Sequence, residues 1–200
     1  MHRNQHQKKG KNQMKITAIL GSPRKKGVTS EIAKGFLTRA KTNGADITSY
    51  FLNTMDFKGC QGCHLCKTQQ ESCVLTDDLT PALGDLVSSD IMVFASPIYF
   101  WEVTGQFKCF FDRTWSLVKP DYMTNPHPVR MDMGKKAVWI SSQGDTQEKY
   151  KEVVDKYVGF LAMFGAKTHT IRAFGMGNEL GQDIAPFMAQ AEKIADQLTK

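Results

Sequence analysis

Four of the five cysteines of this 200-residue chain lie within fourteen residues, as Cys60-Gln-Gly-Cys63-His-Leu-Cys66 and, after six intervening residues, Cys73. Two-residue gaps let three thiolates converge on one face of a curled loop, and Gly59 and Gly62 permit the curl. A later fourth thiolate can close a four-sulfur cage. The N-terminus MHRNQHQKKGKNQ has no apolar core, so it does not read as a secretory signal, and disulfides are not expected. Clustered cysteines in such a chain point to metal binding or redox chemistry. His64 lies inside the run, as a ligand or an exposed side chain. Cys109, among Phe107, Phe110 and Phe111, reads as a small buried core residue.

A second group of residues suits an anion. After the apolar run Ile16–Leu20 come Gly21-Ser22-Pro23, three basic residues (Arg24, Lys25, Lys26) and Gly27, then Thr29 and Ser30 at the mouth of a helical pattern. The first N–H groups of a helix lack internal partners and sit at the positive end of its dipole. Hydroxyls of Ser22, Thr29 and Ser30 add donors, and Arg24 adds charge. The loop has neither the G-x-x-x-x-G-K-[ST] pattern of nucleoside-triphosphate sites nor the G-x-G-x-x-G dinucleotide turn. Taken alone, it reads equally as a polar connection with solvated lysines.

The elements that must position these residues alternate. Strands are expected at 16–20, 46–52, 90–95, 136–141 and 166–173. Helices are expected after Thr29, over about 78–88, about 104–118, 146–164 and 183–199, the last following a Gly-rich loop, Gly175–Gly181. The helix at 104–118 places Phe107, Phe110, Phe111 and Leu117 inward, and that at 146–164 carries Tyr150, Val153, Val154, Tyr157, Leu161 and Phe164 on one stripe. Such alternation implies a parallel sheet with helices on both faces. Five strands suit the flavodoxin-like α/β order 2-1-3-4-5, a three-layer sandwich. The expected organisation is a basic, disordered tail over 1–13 and a single domain over 14–200, with a cysteine loop at 56–76 and a long loop at 119–134.

In that fold, ligands sit outside the carboxyl ends of the strands, at the switch point beside strand 1. Three loops meet there. The first, 21–30, handles an anion. The second, 96–103, offers backbone around Pro97 with Ile98, Tyr99, Phe100 and Trp101. The third, 141–146, offers Ser142, Gln143 and Gly144, where backbone can approach a flat ring. A phosphate site, an aromatic wall and backbone donors describe a pocket for flavin mononucleotide (FMN). Core packing or a dimer face is the other reading of the aromatic run.

The segments GSPRKKGVTS at 21–30, SPIYFWEVTGQFKCFFDR at 96–113 and SSQG at 141–144 resemble the NAD(P)H-dependent FMN reductases and flavodoxin-like quinone reductases. The resemblance covers nearly all of residues 14–199. It implies that Ser22, Arg24, Thr29 and Ser30, with Gly27 in their turn, hold the phosphate. It implies that Pro97, Ile98, Tyr99 and Phe100 line the isoalloxazine ring and that Ser142, Gln143 and Gly144 meet its other edge. Val28 stands where the family often has Asn, which removes one side-chain donor. The cysteine run resembles the compact motif of iron–sulfur flavoproteins, a branch of the same family. That likeness implies a [4Fe–4S] cluster on Cys60, Cys63, Cys66 and Cys73. Tetrahedral zinc and metal-free thiols stay open, although structural zinc usually shows two separated pairs.

Composition bounds the partners. The net charge is +6, of which Arg3, Lys8, Lys9 and Lys11 supply +4, leaving +2 for residues 14–200. No aromatic residue interleaves the tail's charges, so nucleic acid is not expected. No apolar run approaches the ~20 residues that span a bilayer, and a cytoplasmic location is expected. The resemblance implies an enzyme passing electrons from NAD(P)H through FMN to a small molecule or protein acceptor. It also implies a homodimer or homotetramer in which Trp101 and the 119–134 loop cover a neighbour's flavin. Two other functions fit the residues: an electron carrier fed by a ferredoxin, and a zinc-stabilised, non-enzymatic binding module.

Overall fold

The computed structural model describes residues 13–177 and 182–200. The elements run β1 Lys15–Leu20, α1 Val28–Thr42, β2 Asp46–Phe51, a 3-10 turn Leu52–Thr54, α2 Leu65–Thr68, α3 Leu79–Ser88, β3 Ile91–Tyr99 and β4 Glu102–Val103. They continue with α4 Gly105–Arg113, a 3-10 turn Thr114–Leu117, β5 Lys136–Ser142, α5 Lys151–Met163, β6 Lys167–Ala173 and α6 Ala185–Thr199. The parallel order is β2-β1-β3-β5-β6, the expected 2-1-3-4-5 arrangement, and β4 pairs antiparallel with β3.

The central strands alternate between two cores with the period of two that a pleated strand imposes. On one face Ile16, Ala18, Ile91, Val93, Ala95, Val138 and Ile140 pack against α1 and α6. On the other, Ile19, Met92, Phe94, Ala137 and Trp139 pack against α3, α4 and α5. Both faces are covered, so these strands are apolar throughout rather than alternating with polar residues. Trp139 and Tyr157 stack at 5.0 Å, and Phe107 meets the Trp139 ring edge-on at 5.6 Å.

Several expectations are corrected. The strand at 90–95 runs on to Tyr99, because β5 pairs with Ser96 and Pro97 and β4 pairs with Ile98 and Tyr99. The helix at 104–118 gives way at Thr114 to a tighter 3-10 turn. The helix at 146–164 begins only at Lys151, since Tyr150 adopts a left-handed conformation, φ 60°. Cys109 is exposed rather than buried: it lies on the outer side of α4, facing the loop at Gly59, where an added Cβ would sit 3.5 Å from its sulfur. The tail over 1–12 and residues 178–181 of the Gly-rich loop lie outside the described residues. Among the described residues, no helix is long and apolar enough to cross a membrane.

Candidate cofactor site and cysteine loop

The turn after β1 is bonded to itself. Arg24 carbonyl oxygen accepts from Ser22 Oγ at 3.1 Å, Ser30 Oγ at 2.8 Å and Gly27 N at 3.1 Å, and Arg24 N donates to Ser22 Oγ at 3.2 Å. Ser22, Gly27, Thr29 and Ser30 are buried, while Arg24 is exposed. An added Cβ at Gly27 would lie 3.2 Å from Ser22 Oγ, a tight contact that would press on the turn by a few tenths of an ångström. No side chain caps α1, whose first amides keep the anion-facing character of a helix start.

Hydrogen bonds tie this turn to the other two. Thr29 Oγ1 and Ser142 Oγ lie 2.6 Å apart and are buried. Gly21 N donates to Ala95 O at 2.7 Å, and Gly21 O accepts from Thr104 Oγ1 at 2.7 Å and from Gln106 Nε2 at 2.9 Å. Thr104 also caps α4, and its amide donates to Ser96 Oγ at 3.1 Å. Gly21 is held so closely that an added Cβ would sit 2.7 Å from Phe107 Cβ. The loops after β1, β3 and β5 therefore share one rim.

Within that rim the expected residues differ in what they present. Pro97 is buried and Ile98 half-buried, whereas Tyr99 is 40% exposed and Phe100 93% exposed. Phe100 and Trp101, 64% exposed, form the tip of the β3–β4 hairpin with φ of 47° and 63°. Positive φ at both central residues matches the twist of a tight hairpin and costs strain in side chains other than Gly, Asn or Asp. The Ser142 hydroxyl is occupied by Thr29. The Gln143 side chain is spent on the turn below it, donating to Lys149 O at 3.0 Å and to Thr146 O and accepting from Arg172 Nη2 at 3.1 Å. Ser142 and Gln143 thus frame the third loop, and Gly144 is exposed.

The cysteine loop hangs from the far end of α4. Cys60, Cys63, Cys66 and Cys73 all line one cavity of about 70 Å³, together with Arg113, Trp115 and Ser116. Cys60 and Cys63 are exposed and Cys66 is buried. Gly62 and His64 take left-handed conformations, φ 65° and 58°, that make the curl. Among the described residues, no three ligating side chains lie close enough to hold a single ion.

Cations hold the loop in place. The Arg113 side chain is fully buried; Nη1 donates to Lys58 O at 2.8 Å and Asp77 Oδ2 at 2.7 Å, and Nη2 to Leu75 O at 3.2 Å and Asp77 Oδ1 at 3.3 Å. Burial pulls the Arg113 guanidinium down, but Asp77 and the Cys73 sulfur more than offset it and the net shift is upward. Burial likewise raises the Asp77 carboxyl, and Arg113 with the Lys58 and Leu79 amides takes it below the ordinary range. Arg130 Nη2 donates to Cys66 O at 3.0 Å. Lys67 Nζ lies 4.2 Å from the centre of the Trp115 ring and bonds the Trp115 and Val118 carbonyls. Burial lowers its pKa.

Arg113, Asp77, Thr104 and Gln106 were not foreseen as site residues. Arg113 carried one signal: a charged residue three positions after Phe110, on the inward side of an apolar helix. Thr104, placed before that helix, had the residue type of a cap.

The family described as NADPH-dependent FMN reductase matches residues 14–176. An iron–sulfur flavoprotein of Archaeoglobus fulgidus is 35% identical over 100 residues, 50% of this chain and 45% of that protein. An FMN-dependent NADH:quinone oxidoreductase of Azospirillum brasilense is 28% identical over 165 residues, 76% and 74% of the two chains. The chain spans about half the length of the iron–sulfur flavoproteins it matches. The solved NAD(P)H:quinone oxidoreductase of Methanothermobacter marburgensis superposes with a TM-score of 0.70 at 20% identity, over 94% of this chain and 98% of that one, and so shares the fold. On the match over residues 14–176, the chain belongs to the NADPH-dependent FMN reductase family.

Proposed function

We propose that the chain binds FMN at the rim of the three turns and acts as an NAD(P)H-dependent oxidoreductase on quinones or similar acceptors. The observation that carries this reading is the hydrogen-bonded union of the three loops through Thr29–Ser142, Thr104–Gly21 and Gln106–Gly21. FMN held at this rim would supply the hydride and electron-transfer chemistry between a nicotinamide and an acceptor. The α1 amides and Arg24 would hold a phosphate by position and charge, while Ser22, Thr29 and Ser30, whose hydroxyls bond within the rim, set the shape of the turn around it. Pro97 and Ile98 offer an apolar floor to a flat ring, Tyr99 and Phe100 its outer edge, and Gly144 backbone without a side chain. The exposed Phe100 and Trp101 form an apolar tip that suits pairing of two copies as a homodimer or higher assembly. Clustered cysteines of the kind used for metal or redox chemistry fit a cytoplasmic setting. The test is the absorption spectrum of purified protein, with a flavin titration where it is colourless. Yellow protein that bleaches with NAD(P)H supports the reading, and failure to bind FMN overturns it.

A second reading concerns the cysteine loop, which we assign to a [4Fe–4S] cluster that takes electrons singly, from the flavin or from a ferredoxin. Four cysteines on one cavity and a buried Arg113 Nε without a partner fit a sulfur-rich anionic group. A cubane's ligands surround several irons and need not meet at one point. A structural zinc would instead need all four sulfurs about 2.3 Å from one centre. Iron analysis decides between them: about four irons per chain supports the cluster, and about one zinc without iron supports the binding module.

A further inference from the structure

A guanidinium carries five N–H donors in a rigid fork. In Arg113 four of them meet acceptors from the two arms of the cysteine loop, Lys58 before Cys60 and Leu75 and Asp77 after Cys73. The fifth, Nε–H, is buried and has no partner among the described residues. Buried donors in native proteins are nearly always paired, so an orphan marks a place where another acceptor belongs. Arg113 lines the cavity shared by the four cysteines, Cys73 among them. A sulfur-bearing anion in that cavity is the acceptor the fork lacks.

We propose that Arg113 is a positioning residue for the cluster, its Nε–H donating to the metal-bound sulfur of Cys73 and drawing the cluster's reduction potential upward. The proposal rests on the cluster reading of the loop. On reduction the cluster takes up one electron from an added reductant; no bond is broken and no proton is bound. The reduced form is the more negative, so a hydrogen bond to sulfur and an adjacent positive charge favour it. Asp77 works against this, because its carboxylate neutralises part of the Arg113 charge at 2.7 Å. The two residues are therefore opposed, although both tie the same loop.

The experiment uses the full chain, reconstituted anaerobically with ferrous iron and sulfide, with iron counting and a redox titration followed by electron paramagnetic resonance. Arg113→Lys keeps the charge and loses Nε–H, and its midpoint potential falls. Asp77→Asn keeps the shape and removes the counter-charge, and its midpoint potential rises. Potentials are compared between iron-loaded chains, with the iron count of each variant measured beside them. A role confined to holding the loop would move both variants the same way or neither, and that outcome overturns the proposal. Should Arg113→Lys fail to fold, an unmoved or lowered potential in Asp77→Asn overturns it alone. Wild-type protein that takes up no iron would overturn the cluster reading itself and this proposal with it, whereas normal iron with unmoved potentials removes only the role of Arg113.

Discussion

Thr29 and Ser142 come from residues 113 apart in the chain and share a buried hydrogen bond. Replacing Thr29 by Val leaves the Ser142 hydroxyl buried without its partner and loosens the rim, at a cost of about 1–3 kcal/mol. FMN affinity is expected to fall on the order of tenfold, about 1.4 kcal/mol, in a flavin-fluorescence titration. Val28→Asn acts in the opposite direction: an amide donor beside a dianion tightens binding, and the same titration should show a lower dissociation constant. The first turn could be read as a site only together with the other two loops, because Ser, Thr and Gly ahead of a helix suit a plain polar connection as well as an anion. Asp77 was not legible, and Arg113 showed only as a charge on the inward side of a helix, since the partners of an ion pair 36 residues apart leave no shared local pattern.

At the level of elements, strand identity and order were readable from apolar runs, while the ends were set by partners. β3 outruns its apolar run because β4 and β5 supply hydrogen bonds as far as Tyr99. α5 starts late because Tyr150 is turned out of helical geometry. Gly21 sits where β1 meets the start of α4. Gly21→Ala drives a methyl into Phe107, and overpacking of this kind costs about 1–3 kcal/mol, to be seen as a lower midpoint in chemical denaturation. The Asp77 carboxyl lies below its unfolded value of about 3.9. Its stabilising contribution is therefore complete above that pH and is lost as pH falls through the folded value. Asp77→Asn is expected to unfold at a similar pH with a shallower acid limb, followed by circular dichroism; an unchanged limb would count against the linkage.

For the whole molecule, the parallel sheet covered on both faces was readable because its central strands are apolar without alternation. The exposed hairpin tip was not: Phe100 and Trp101 look like core residues in sequence, and only their left-handed backbone turns them outward. Replacing both by Ser should shift the protein toward monomer in light scattering while leaving its thermal midpoint nearly unchanged; an unaltered mass would remove the tip from the assembly. α4 joins the two candidate sites: Thr104 and Gln106 grip the Gly21 turn at one end, and Arg113 grips the cysteine loop at the other. Nine residues of helix make a strut of about 13 Å. Redox groups fastened to its two ends would keep a constant separation, so an electron could hop between them without waiting for any part of the protein to rearrange.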